Sequence, residues 1–171
     1  MTADDRHDPA AELVEVVEPD GRVVRVVTRA EMRAGRLRHR CTFIVVLNRA
    51  GEVLIHRRSE NKDLWPGRWD LACGGVVTAG EDWEPAARRE LAEELGIEGV
   101  ELIYLGEHSY ADGEVDELAR VWMTEWDGAV VFADGEVVEA RFVDLDELAE
   151  RVGRDPFVAD SIVLVLPYLV P

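Results

Sequence analysis

The chain has 171 residues, of which 47% are hydrophobic and 32% are charged, and its formal net charge is −17. This length and composition indicate one folded domain with a proper core and exclude a disordered chain. The acidic excess predicts that nucleic acid is not a partner, since a polyanion would be repelled, but a phosphorylated small molecule is compatible with it because bound divalent cations reverse the local field.

The two cysteines, Cys41 and Cys73, are too few for a disulfide framework, and no Cys/His cluster has the spacing of a zinc site. The first residues lack the basic and apolar regions of a signal peptide. The apolar stretch at 162–170 is too short to span a bilayer. We therefore predict a cytoplasmic protein without membrane association, and the sequence leaves its oligomeric state open.

The N-terminal third begins with a polar stretch and continues with two β-rich runs, at 13–17 and 23–27, joined by a turn sequence. Thr28 is a suitable N-cap for a short helix that ends at Gly35. These patterns predict that residues 1–36 form an N-terminal extension consisting of a hairpin and a short helix.

A near-continuous apolar run at 41–47 is typical of a buried central strand, and residues 53–56 return beside it. Arg57 and Arg58 leave the end of this second strand. Guanidinium groups fork onto phosphate oxygens, so both are candidate substrate-binding residues, although surface salt bridges explain them equally well. Trp69, in the loop that follows, is a candidate wall of a substrate pocket, although tryptophans are more often plain core.

The pattern from Asp82 to Gly96 predicts a helix over 83–95, with Asp82 as N-cap and Gly96 just beyond its end. At 3.6 residues per turn, three carboxylates, those of Glu90, Glu93 and Glu94, share one face of this helix. Like charges this close repel one another, and a bound cation would relieve the repulsion. Oxygen ligands favour Mg²⁺ or Mn²⁺ over zinc.

The remaining sequence predicts strands at 100–110 and 118–126, a short segment at 130–132 and a strand at 137–142. Two helices are then expected. The first is capped by Asp144 and runs to about Val152, and the second is opened by Pro156 and runs to about Leu169.

Residues 75–97 contain Gly75, five residues, Glu81, seven residues, and then Arg89-Glu90-Leu91-Ala92-Glu93-Glu94-Leu95-Gly96-Ile97. This segment resembles the Nudix box, and the resemblance to the Nudix (MutT-like) hydrolase family extends over roughly residues 37–167. It implies an α/β/α sandwich with a mixed sheet, in which residues 37–171 form the Nudix domain and the hairpin is an N-terminal addition.

The resemblance also implies roles for the box residues. Glu90 and Glu94 would be the principal ligands of Mg²⁺ (Mn²⁺ is possible), and Glu93 would complete the site directly or through water. The backbone carbonyl of Gly74 would be a further metal ligand. Three residues would support the site: Gly75 by allowing a close backbone approach, Glu81 by bracing the junction between loop and helix, and Arg89 by orienting a glutamate through an ion pair.

The implied reaction is hydrolysis of a phosphoanhydride in a nucleoside di- or triphosphate, or in a nucleoside diphosphate linked to another moiety. The expected catalytic residues are Glu93, Glu94 and Glu117. A carboxylate would accept the proton of the attacking water. Glu93 is the candidate for this general base within the box, and Glu117 is the candidate outside it.

A second resemblance suggests a branch of the family. Residues 37–43, 65–69, Cys73-Gly74 and Glu117 look like type I isopentenyl-diphosphate isomerase, which shares the Nudix fold. That enzyme needs its cysteine to be followed by Gly-His and needs a histidine metal site, but here Gly75 stands at the histidine position. We therefore expect a hydrolase of the isomerase-like branch, with the isomerase as one alternative and a non-catalytic nucleotide-sensing module as another.

Overall fold

The computed structural model describes residues 8–170. Eight strands are present: β1 (Leu13–Val17), β2 (Val23–Thr28), β3 (His39–Leu47), β4 (Val53–Arg58), β5 (Trp69–Asp70), β6 (Ile103–Ala111), β7 (Asp116–Glu125) and β8 (Val137–Val143). Four α-helices accompany them: α1 (Arg29–Gly35), α2 (Trp83–Leu95), α3 (Leu145–Arg154) and α4 (Ala159–Leu169). A 3₁₀ turn at Pro9–Ala11 precedes β1.

The predicted hairpin and short helix are present in the N-terminal segment. Strand β1 pairs antiparallel with β2. Thr28 then starts α1 with a capping box, in which its side chain accepts from the backbone N–H of Glu31 and the Glu31 carboxylate accepts from the backbone N–H of Thr28. Strand β1 also pairs with β3 through Val16 and His39, so the hairpin joins the main sheet.

The sheet is mixed. Strand β3 runs parallel to β7 over its full length, from His39 opposite Glu117 to Leu47 opposite Glu125. The other pairings are antiparallel: β6 with β7, and β4 with β3, β5 and β8. The parallel pairing matters for function, because it brings the first residues of β3 and β7 to the same end of the sheet.

Helices cover the sheet on both faces, which confirms the predicted α/β/α sandwich. Alternate residues of β3 point to opposite faces. Phe43 and Val45 belong to the cluster that holds residues of α3 and α4, whereas Ile44 and Val46 pack in the cluster that holds α2. Ala87, Leu91 and Leu95 supply the buried stripe of α2, so the opposite face of that helix is available to a site.

The predicted start of the last helix was wrong. The last helix begins at Ala159 rather than at Pro156, because Phe157 bridges to Trp69 and the N–H of Val158 donates to the Trp69 carbonyl, which holds this stretch extended. After β5, residues 71–74 do not continue as a strand. There the chain makes isolated bridges to β3 instead, at Cys73 and again at Val76.

The short segment at 130–132 forms no strand, and the predicted strand from 100 begins only at Ile103. The N–H of Val131 donates to the carbonyl of Leu95 at the end of α2, so this segment closes over the helix terminus instead of joining the sheet. Within residues 8–170, no helix is long and apolar enough to cross a membrane.

Candidate functional site

Two glycines bring the backbone after β5 against β3 and α2. Gly74 has φ +150°, and a Cβ at this position would lie 1.9 Å from the carbonyl oxygen of Thr42. A Cβ at Gly75 would lie 2.9 Å from the carboxyl group of Glu90. The Thr42 N–H donates to the Gly75 carbonyl at 2.9 Å. A Cβ is therefore excluded at Gly74 by the Thr42 backbone, and at Gly75 it would displace the Glu90 carboxyl group, so this stretch of backbone forms one wall of the site.

Helix α2 presents its three carboxylates to this wall at different depths. Glu94 is buried, and its two oxygens accept from the backbone N–H of Gly74 at 3.3 Å and from Lys62 Nζ at 3.4 Å. The side chain of Glu90 is 13% exposed and that of Glu93 is 50% exposed. The predicted metal-ligating residues therefore lie together in the structure, ordered from the interior to the surface.

Arg89 connects the box residues. Its Nε and Nη2 atoms donate to the two oxygens of Glu81 at 3.0 and 2.9 Å, which is a bidentate pair across the junction between loop and helix. Its Nη1 atom donates to Glu90 at 2.8 Å and to Glu93 at 3.1 Å. Arg89 is therefore ion-paired with three carboxylates of the box, those of Glu81, Glu90 and Glu93.

Burial, followed by the charge of Glu94, raises the pKa of Glu90 to about 8, although Arg89 acts in the opposite direction. Carboxylates that are crowded in a partly desolvated site are expected to shift in this direction. Lys62 lies across Glu94 and also pairs with Glu136, so the positive charge now near the carboxylates comes from Arg89 and Lys62.

Two spaces have both Gly74 and Gly75 in their linings. The outer groove, of about 260 Å³, runs past Glu90, Glu93 and Arg89. The second space, here called the inner cavity, has a volume of about 60 Å³. Its lining includes Cys41, Arg58, Trp65, Asp70, Val115, Glu117, Val158 and Asp160. Lys62 and Arg29 line both spaces, so cationic side chains stand at their junction.

The predicted substrate-binding residues separate in the structure. Arg58 lines the inner cavity, where it pairs with buried Asp70 at 3.5 Å. Arg57 lies outside both spaces, paired with Glu139 on β8 at 3.3 Å. Trp69 is also outside them, in the core beneath the guanidinium of Arg151. The tryptophan that lines the inner cavity is Trp65.

Glu117, the candidate base outside the box, is only 2% exposed. It lines the inner cavity at the start of β7, opposite His39 in the strand register. Burial, followed by the nearby charge of Asp160, raises the pKa of Glu117 well above its usual range. The structure thus places the two base candidates in different environments, with Glu93 at the groove mouth and Glu117 in the interior.

The sequence interpretation did not include Arg29, Arg33 or Asp63 in the site. The two arginines lie one turn apart on α1, and both pair with Asp63, at 3.3 and 3.1 Å. Both line the inner cavity, although α1 belongs to the predicted N-terminal extension. Their spacing of four residues does place them on one helical face, but the sequence does not indicate what that face meets.

Comparisons with known proteins show which proteins this chain resembles. The NUDIX domain family model matches residues 37–161. A Nudix hydrolase of Yersinia pestis is 38% identical over 161 residues, covering 91% of this chain and 85% of the relative. The crystal structure of DR0079 from Deinococcus radiodurans has a TM-score of 0.79 and 26% identity, covering 91% of this chain and 98% of that one.

The NUDIX domain of Shewanella oneidensis NrtR, solved in complex with ADP ribose, has a TM-score of 0.63. It is 17% identical and covers 83% of this chain and 97% of that one, so this likeness shows the fold alone. These matches give no support for an isomerase-like branch, which stays a prediction.

Proposed function

This chain belongs to the Nudix hydrolase family, and from that premise we propose that it is a pyrophosphohydrolase dependent on a divalent metal. Its substrate is a nucleoside di- or triphosphate, or a nucleoside diphosphate linked to another moiety, in which it cleaves a phosphoanhydride bond. One observation carries the proposal: Glu90, Glu93 and Glu94 line up along α2 against the Gly74–Gly75 backbone, beside a groove whose inner end is lined by Arg29 and Lys62.

The residues present fit a hard divalent ion. The donors are carboxylate and carbonyl oxygens, which Mg²⁺ and Mn²⁺ prefer. A cation bound here would relieve the repulsion between the crowded carboxylates, which together with burial raises the pKa of Glu90. The absence of a Cβ at Gly75 leaves room directly against the Glu90 carboxyl group. Glu90, Glu94 and the Gly74 carbonyl would hold the ion, with Glu93 at its solvent side.

When bound, Mg²⁺ supplies charge neutralisation at phosphate oxygens and acidifies a water molecule. The protein's own side chains do the rest. Arg89 holds Glu90 and Glu93 in place while Glu81 anchors Arg89. Lys62 and Arg29 meet the phosphate chain where the groove joins the cavity. Arg58 contributes a further positive charge inside.

Glu93 is the favoured general base. It is half exposed at the groove, where the attacking water enters, and among residues 8–170 it forms an ion pair with Arg89 alone. Glu117 is buried, and burial, followed by the charge of Asp160, raises the pKa of its carboxyl group well above its usual range, which disfavours the ionised form that a general base needs. Comparing Glu93→Gln with Glu117→Gln decides between them, because loss of the base lowers kcat over the pH range in which the wild-type base is ionised.

The test of the function is a substrate panel with Mg²⁺ and with Mn²⁺, in which phosphate and pyrophosphate release are measured separately. The panel contains nucleoside di- and triphosphates together with ADP-ribose, the ligand of the NrtR NUDIX domain. Glu94→Gln should lower kcat by about 10³-fold while leaving the fold intact, since several kcal/mol of charge stabilisation depend on the metal site. Full activity in Glu94→Gln would contradict the metal-ligand assignment.

The isomerase alternative predicts that the two isoprenoid diphosphates are interconverted and that Cys73→Ala abolishes this activity. Cys73 is buried, contacts the backbone of Glu90, and lines neither the groove nor the cavity, so its position does not favour a catalytic thiol. The sensing alternative predicts nucleotide binding without turnover in any metal, and the same panel reports that outcome.

A further inference from the structure

The N-terminal hairpin lies against residues 75–81, here called the box loop. The hairpin precedes the part of the chain that the NUDIX family model matches. Even so, Val14 of β1 forms an antiparallel bridge with Thr78, and the N–H of Ala79 donates to the carbonyl of Leu13 at 2.8 Å. The hairpin therefore holds the backbone of the box loop through the contacts that a neighbouring strand makes.

An ion pair strengthens this contact. Glu15 accepts from the backbone N–H of Gly80 at 3.0 Å and pairs with Arg40 at 2.6 Å. Arg40 also donates to the carbonyl of Glu81 at 2.9 Å. The side chains of Glu15 and Arg40 are only 15% and 11% exposed, so solvent and salt screen their attraction weakly. Because Glu81 anchors Arg89, the hairpin reaches the proposed metal site through the box loop.

Glu12, just before β1, contacts two different parts of the site with its two carboxylate oxygens. Its Oε1 atom accepts from the hydroxyl group of Thr78 at 2.6 Å. Its Oε2 atom lies 3.5 Å from Nη1 of Arg29, a proposed phosphate contact. The side chain of Glu12 is 15% exposed, and all three residues line the outer groove. Glu12 thus joins the box loop to an arginine that faces the substrate.

The position of Glu12 is unfavourable for a residue with no role in the site. A carboxylate that lines the groove repels the phosphate chain of a substrate, and the net charge of −17 already opposes such a ligand. An ion pair with Arg29 offsets this repulsion in one way. Arginine has a long side chain with many rotamers, and fixing it before the substrate arrives lowers the entropy cost of binding.

We propose that Glu12 is a positioning residue of the hydrolase and that the N-terminal hairpin is a working part of the active site. Through Oε1, Glu12 fixes the box loop and with it the pairing of Glu81 with Arg89. Through Oε2, it directs Arg29 towards the phosphate chain. The second role rests on the proposed hydrolysis, whereas the first concerns the geometry of the metal site and can be measured without turnover.

Glu12→Gln tests the contact with Arg29. The amide oxygen still accepts from the hydroxyl of Thr78, but the charge that faces Arg29 is lost. We expect KM to rise about three- to tenfold while kcat and the affinity for Mn²⁺ stay at the wild-type values. In an Arg29→Ala background, Glu12→Gln should not raise KM further, because the two residues act as one unit. An unchanged or lower KM in Glu12→Gln would overturn this role.

Thr78→Val tests the contact with the box loop, since it removes the hydroxyl group and keeps the branched shape. We expect kcat and the affinity for Mn²⁺, measured by electron paramagnetic resonance of the free ion, each to fall about tenfold, the lower end of what loss of an outer-shell partner costs. Thr78→Ser should restore both values. A contact that only stabilises the fold would lower Tm and leave kcat and the affinity for Mn²⁺ unchanged, and that result would overturn the proposal.

Hydrogen exchange of the metal-free protein completes the test. Glu12→Ala should speed exchange of the amides of Ala79 and Gly80 about five- to tenfold, because the loop then opens more often from the hairpin. Glu18→Ala is the matched control, since Glu18 lies on the same hairpin in an exposed pair with Arg22, and it should leave this exchange unchanged. Wild-type exchange in Glu12→Ala would overturn the contact even if the substrate panel shows hydrolysis, and faster exchange would support it even if the panel shows none.

Discussion

Substituting alanine for Gly75 adds one methyl group next to the carboxylate of Glu90, a proposed metal ligand. The added Cβ would lie 2.9 Å from the carboxyl carbon and both oxygens of Glu90, and its nearest neighbours are these three atoms. Gly75 is not among the glycines with positive φ, so the backbone accepts alanine without strain. The substitution therefore moves the Glu90 side chain and leaves the fold in place.

The size of the effect follows from the distances. Ordinary contacts of a Cβ begin at 3.4 Å, so the carboxyl group must retreat by about 0.5 Å. The hydrogen bond that Glu90 accepts from Arg89 at 2.8 Å, together with the burial of the Glu90 side chain, restricts the positions that its carboxyl group can take. Since a misplacement of 1 Å can cost about 100-fold in rate, we expect kcat to fall by about 10–100-fold, or about 1.4–2.7 kcal/mol in activation free energy.

The assay is steady-state kinetics on the best substrate of the panel, with metal titrations and thermal unfolding of the same samples. Gly113→Ala is the matched control, because a Cβ at Gly113 meets nothing within 4 Å and its φ is not positive. Gly75→Ala should lose rate and metal affinity while its Tm stays within a few degrees of wild type. Wild-type kcat and metal affinity in Gly75→Ala would refute the placement of the metal at Glu90.

Three further outcomes are expected. In metal-free protein, burial lowers the pKa of His39 from 6.5 to about 4, so the unfolded chain takes up the proton first as pH falls. The free energy of unfolding should therefore decrease by about 3 kcal/mol between pH 6.5 and pH 4, and His39→Gln should remove this decrease. Urea denaturation that gives the same pH dependence for wild type and His39→Gln would contradict the shift. Arg29→Ala should raise KM about tenfold with kcat nearly unchanged, because a charged hydrogen bond to phosphate is worth about 1.5–3 kcal/mol. Arg22→Ala is the control, since Arg22 forms an exposed ion pair with Glu18 on the hairpin, and it should change neither KM nor kcat. Arg89→Ala should lower the free energy of unfolding by about 2 kcal/mol, seen as a fall in Tm of about 4–8 °C. Mg²⁺ should restore part of this loss, because a cation then again faces the carboxylates of Glu90 and Glu93. Equal losses with and without Mg²⁺ would contradict a metal site at these carboxylates.

The catalytic helix could be predicted from the sequence because its determinants are local. Helix α2 begins at Trp83 after Asp82 and ends at Leu95 before Gly96, as the periodicity and the end signals indicate, although the Asp82 side chain makes no capping hydrogen bond. Helix α3 begins after its predicted cap Asp144 for the same reason. The α4 boundary was misplaced because Phe157 and Val158 pair with Trp69, a partner far away in the chain.

The choice between neighbouring candidates could not be made from the sequence. Arg57 and Arg58 are chemically identical, and alternation along β4 sends one to Glu139 and the other to the cavity. In the tryptophan loop, Trp69 packs in the core and Trp65 lines the cavity. These outcomes depend on which face of each element meets the rest of the molecule, and that is a property of the assembled sheet.

By itself, the sequence determined the chemistry of this protein: a glycine loop followed by a helix that carries three carboxylates and an arginine at set spacings. Spacing within a helix is enough for this, because residues three and four apart share a face wherever the helix lies. Only the tertiary structure decided what surrounds that chemistry. It brought Arg29 and Lys62 to the groove, and it placed His39 beside Glu117, because a parallel strand pairing joins residues that no local pattern connects.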